Sequence, residues 1–157
     1  MQVKQVSLFV TVSFWAILIG GIVYSHIVYF PPYLSHLPES TSIITGPHGL
    51  QEGNFWMVVH PAVILSTILS LILNLKQRSR RKFIIAATLI YVLALVATIL
   101  YFLPELEAFA NSNNSTTTPA EWYERGQTWQ YLSYVRGFSM FVGFVLLLIA
   151  LTKNERQ

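Results

Sequence analysis

His26, His60, Tyr101 and Arg136 stand within long apolar runs, and Glu105 follows one directly. Ionisable residues in such runs are costly, and where they occur they mark functional sites by default. Two facing histidines, His26 and His60, can ligate a haem or, with Glu105, a metal ion such as copper, iron or zinc. Alternatively, an imidazole and a phenol beside a guanidinium suit a phenolic or quinone-like molecule. In that reading His60, Arg136 and Tyr101 are catalytic: His60 takes the proton and Arg136 stabilises the anion. His26, Glu105, Trp129 and Trp56 then bind the ligand. A third reading is a polar core with no cofactor and no chemistry. The absence of cysteine excludes thiolate metal sites, dithiol redox chemistry and disulfides. No spacing matches a known metal motif.

The elements that must position these residues are apolar helices. Of 157 residues, 54% are hydrophobic and 11% are charged, where a soluble domain carries about 25% charge. A helix crosses the hydrocarbon core with about 20 apolar residues. Four stretches meet that length: about 7–30, stopped by Pro31-Pro32; 54–75, with Asn54 as N-cap; 83–103, stopped by Pro104; and 129–152, with a start as early as Pro119. The reading is an all-α, antiparallel four-helix membrane bundle forming a single domain. Residues 31–53 and 105–128 are its outer loops and 76–82 its cytoplasmic loop. The first run is too long for a signal-peptide core and is read as a retained helix.

Lys4, the basic residues of 76–82, Lys153 and Arg156 account for eight of the ten Lys and Arg residues. The positive-inside rule therefore puts both termini and that loop in the cytoplasm. Tyr29, Tyr33, Phe55, Trp56, Tyr101, Trp122 and Trp129 fall at the outer interface. The expected setting is multi-pass in a bacterial inner membrane. Expected partners are the lipid bilayer, a small hydrophobic molecule, and further copies or a larger membrane complex. The basic loop is a solvated charge run and supports no nucleic-acid partner.

Counting from each inner end at 1.5 Å per residue, His60 lies about 22 Å up, Arg136 about 24 Å, Tyr101 about 27 Å, His26 about 28 Å and Glu105 about 33 Å. The phase agrees. His60, Thr67 and Asn74 recur at sevenfold spacing, as do Tyr91, Thr98 and Glu105, while Arg125, Trp129 and Arg136 share a face. Sevenfold stripes face the interior of a left-handed bundle. Gly20-Gly21, Gly137 and Gly143 would permit close helix approach. Pro61 and Pro104 free the carbonyls of Met57 and Leu100 near the same band.

The stretch Trp129-Gln-Tyr-Leu-Ser-Tyr-Val-Arg136 resembles the last helix of the anthrone-oxygenase-like family, small four-helix membrane proteins mostly of unknown function. Trp129, Ser133 and Arg136 match that pattern, with Ser133 standing where Asn or His is expected. Gly20-Gly21 running into Phe30-Pro31 is similar to the family's first helix. The resemblance implies a four-helix bundle, and characterised members oxidise anthrones to anthraquinones without an obvious bound cofactor. The leading expectation is thus an outer-leaflet cavity that binds an aromatic or quinone-like ligand or a cofactor, with oxidoreductase chemistry. The competing expectation is a non-catalytic subunit packed into a membrane complex.

Overall fold

A bilayer leaves an apolar run no way to satisfy its backbone except as a helix or a closed barrel, and this chain forms helices. A computed structural model describes residues 2–153. Among them, four helices are long and apolar enough to cross a membrane: α1 (Val3–Ser35), α2 (Glu52–Asn74), α3 (Arg78–Ala110) and α4 (Pro119–Thr152). No strand occurs among the described residues, so the fold is an all-α four-helix bundle.

Several boundaries differ from those expected, for identifiable reasons. Pro31-Pro32 and Pro104 do not stop their helices. A π-helical turn, Ser25–Tyr29, precedes the first pair, and another, Thr98–Phe102, precedes the second. A proline ring clashes with the carbonyl four residues back. Here those carbonyls belong to Ile27 and Leu100, inside the widened turns, and each proline opens a fresh α-helical segment. Helix therefore continues into what reads as outer loop, leaving 36–51 and 111–118 as the main far connections. Pro61 lies within α2 without ending it. Asn54 is not the N-cap: α2 starts at Glu52 after Gln51, and the Asn54 amide donates to the Gln51 side chain at 2.9 Å. The basic loop shrinks because Arg78–Lys82 form the first turns of α3, as good helix formers do. A capping box between Thr118 and Glu121 starts α4 at Pro119.

Neighbouring helices run antiparallel. The Trp15 indole donates to Thr67 at 3.0 Å, the Asn74 amide to the Lys4 carbonyl at 3.4 Å, and the Arg80 Nε to the Lys153 carbonyl at 2.9 Å. Lys4, 76–82 and Lys153 thus share one end of the bundle, here the basic end; Arg156 lies outside the described residues. Two apolar clusters fill the interior. Toward the basic end, Leu8, Trp15, Leu18, Val63, Ile84 and Leu147 pack without solvent exposure. Gly143 is required there, since a Cβ would lie 2.9 Å from the Trp15 ring. A Cβ on Gly20 would meet nothing, so that glycine makes no close approach. At the far end Tyr29, Phe30, Tyr33, Phe102, Phe109, Trp122 and Trp129 form an aromatic cluster. Of the aromatic residues expected at the interface, Tyr29, Tyr33, Trp122 and Trp129 are buried in this cluster, because the extended helices give them partners.

Candidate functional site

A cavity of about 870 Å³ opens at the seam between the two clusters. Ala94 and Met140 of the basic-end cluster and Tyr29, Phe30, Phe102 and Trp129 of the aromatic cluster all line it. Both π turns border it, through Ser25, His26 and Tyr29 of α1 and Thr98, Ile99 and Phe102 of α3. π turns inside α-helices recur at functional sites because they re-aim side chains.

Arg136 of α4 reaches into this cavity. Its Nη1 donates to the Thr98 hydroxyl at 2.8 Å and its Nη2 to the Ser133 hydroxyl at 3.0 Å. The guanidinium also lies 3.8 Å from the Phe102 ring centroid, in cation–π contact. Among the described residues it has no carboxylate partner. A guanidinium carries five N–H donors, so three remain after Thr98 and Ser133.

His26 backs that arrangement. Its Nδ1 lies 2.7 Å from the Ile22 carbonyl and its Nε2 3.0 Å from the Ser133 hydroxyl. A carbonyl only accepts, so Nδ1 carries the proton, and in the neutral ring Nε2 accepts from Ser133. The Ser133 oxygen in turn accepts from Arg136. Both nitrogens of His26 are therefore engaged: Nδ1 ties the ring to Ile22 on its own helix, and Nε2 holds Ser133 and, through it, Arg136.

His60 is different. Its Nδ1 lies 2.7 Å from the Tyr91 hydroxyl, and its ring stacks on Trp56 at 5.4 Å and 30°. Its Nε2 has no hydrogen-bond partner among the described residues. A hydroxyl can donate or accept, so His60 is held in either tautomer. Its Nε2 can thus meet a ligand hydroxyl as acceptor or a ligand carbonyl as donor.

The cavity gathers His26, His60, Trp56, Trp129 and Arg136 and leaves out Tyr101 and Glu105. The second π turn is the reason. It takes one residue more than an α turn, which rotates everything after it by about 100°. Glu105, in phase with Thr98 on a regular helix, turns away and pairs with Arg125 at 2.8 Å. Tyr101 packs against Phe102 at 5.1 Å. The trio of His26, His60 and Glu105 is thus not brought together as a ligand set. Among the described residues no three or more His, Asp or Glu side chains converge as a metal site requires.

Two lining residues were not anticipated, Glu52 and Ser25, whose side chains touch at the far end of the cavity. Glu52 falls in the segment 31–53 expected from sequence to be outer loop, but it lies in the first turn of α2. The sequence signal was an acidic residue one turn before an aromatic apolar run, a position that favours the first turn of a helix. Thr98 and Tyr91 were visible as members of a polar stripe and now have partners on α4 and α2. No family model, curated protein or solved structure matches this chain.

Proposed function

We propose that this membrane protein binds a small aromatic, quinone-like molecule in the cavity between the two clusters. The observation that carries the reading is Arg136: a guanidinium inside a bundle of apolar helices, with three unused donors and no carboxylate partner among the described residues. An uncompensated cation at this depth is expensive, and an electron-rich ligand oxygen supplies what the protein withholds. His60 Nε2 meets the same ligand, and Trp56, Phe30 and Trp129 offer ring faces and edges around it.

The chemistry such a site supports is proton abstraction from a phenolic hydroxyl. The proton passes to His60 Nε2, and the oxygen's charge falls to Arg136. That step is in keeping with the resemblance of Trp129, Ser133 and Arg136 to anthrone-oxygenase-like proteins; an oxygenase-like oxidation would follow it, with dioxygen as the oxidant of the phenolate. The clustering of Lys4, 76–82 and Lys153 at one end supports an outer-leaflet site in a bacterial cytoplasmic membrane.

The test is a titration of the purified protein with duroquinone, read by quenching of tryptophan fluorescence. Saturable quenching is expected for the wild type. Its affinity should fall about tenfold or more in His60→Ala and in Arg136→Ala, each of which removes one polar contact to the ligand. Both variants should keep the helical circular dichroism of the wild type. Non-saturable quenching by a folded protein would sink the proposal in favour of a packing subunit.

A further inference from the structure

The cavity is not closed on all sides. Its α1 and α4 walls are sealed, with His26, Phe30, Trp129 and Met140 each at most 7% exposed. The α2 and α3 walls also carry exposed residues, beside the buried Ala94 and Phe102 of α3. Met57 on α2 is 68% exposed, and Ile99 and Leu103 on α3 are 61% and 52% exposed, although all three line the cavity. Asn54, Met57 and Pro61 lie on one face of α2, and Leu95, Ile99, Leu103 and Leu106 on one face of α3. These two rows are the jambs of a slot between α2 and α3. The helices are held together below it by their short connection and by the His60–Tyr91 hydrogen bond.

The dimensions place the slot in hydrocarbon. From Asn54 to Pro61 the helix rises about 10 Å, and Pro61 lies about 13 Å below Glu52 at the head of α2. One leaflet of the hydrocarbon core is about 15 Å thick, half of about 30 Å. The slot thus spans most of one leaflet, its jambs, apolar below Asn54, face lipid chains, and its polar floor is formed by His60 and Arg136. The volume points the same way. Sites for drug-sized ligands run from about 300 to about 1,000 Å³, and about 870 Å³ exceeds the need of a single ring.

We infer that the ligand is a membrane amphiphile: a quinone-like head that enters sideways from the leaflet and seats on Arg136 and His60, with an apolar chain left in the slot between α2 and α3. This rests on the site proposed above and adds its route and ligand class. A water-soluble aromatic would need no such opening. A second copy or a partner helix would instead cover the jambs.

The test uses the full chain in lipid nanodiscs with two probes, duroquinone as head alone and decylubiquinone as head with chain, affinities being expressed per mole fraction in the bilayer. The wild type should bind both, the chained probe at least as tightly. Met57→Trp and Ile99→Trp, made separately so that one folding failure leaves the other informative, should each shift the preference against decylubiquinone by about tenfold, a cost that steric conflict at the slot readily reaches. The inference is overturned if duroquinone binds and decylubiquinone does not, or if neither variant shifts the preference. It is also overturned if Ile99→Cys, unique in a chain without cysteine, crosslinks two copies in the membrane, since a second copy would then fill the slot. Binding of neither probe would instead defeat the proposed head-group site itself.

Discussion

Arg125 and Arg136 lie on the same helix, three turns apart and on nearly the same face, yet they are in opposite situations. Arg125 meets both carboxylate oxygens of Glu105, at 2.8 and 2.9 Å, and lies 4.5 Å over the Trp122 ring. It is matched in charge and geometry and ties the extension of α3 to the start of α4. Arg136 meets two neutral hydroxyls and one aromatic ring, and it faces a cavity. The difference lies on α3, which presents Glu105 to one arginine and Thr98 to the other. A paired guanidinium has exhausted its field on its partner. One held only by hydroxyls keeps its charge for whatever enters, and low-dielectric surroundings amplify that charge.

The largest expected effect comes from abolishing this contrast. Thr98→Glu sets a carboxylate against Arg136 and makes it resemble Arg125. Duroquinone affinity should fall about a hundredfold, about 2.7 kcal/mol, in the fluorescence titration. Affinity equal to the wild type would show that the charge of Arg136 is not what the ligand uses.

Ser133→Ala sharpens the comparison from the α4 side. It strips the hydroxyl that joins His26 to Arg136 and leaves the buried Nε2 of His26 unpaired. A loss of about 1–3 kcal/mol is expected, measured as a lower midpoint of thermal unfolding in detergent, with weaker binding. An unchanged midpoint would mean that the bridge positions nothing.

Arg125→Ala should have the smallest effect. The pair is 39% and 23% exposed, so at most about 1 kcal/mol of stability is at stake. Quinone affinity should match the wild type, and a loss as large as that of Arg136→Ala would erase the distinction between the two arginines.

Much of this organisation is legible in the chain. The four apolar runs imply four helices because length and composition suffice for that. The sevenfold stripes point inward, and Thr67, Asn74, Tyr91 and Trp129 are indeed at most 3% exposed. The errors gather where periodicity breaks. Proline read as a stop because it usually is one, yet a π turn ahead of it moves the offending carbonyl aside. The same turn removed Glu105 from the cavity by rotating it, and Tyr101, inside the turn, also stays out of the cavity. Glu52 was missed because α2 starts two residues earlier than its apolar run, which carries a carboxylate to the far end of the cavity.

The sequence alone determined the number of helices, their lipid setting and the faces that had to be hidden. Each follows from short-range regularities: the hydropathy of a run, the rise of a helix, its residues per turn. Only the tertiary structure decided which arginine is neutralised and which has no carboxylate among the described residues, that His26 is engaged by Ser133 while the Nε2 of His60 has no partner among them, and that exposed cavity-lining residues gather on α2 and α3. Those outcomes depend on how one helix is rotated against another, and a single wide turn resets that rotation for every residue beyond it.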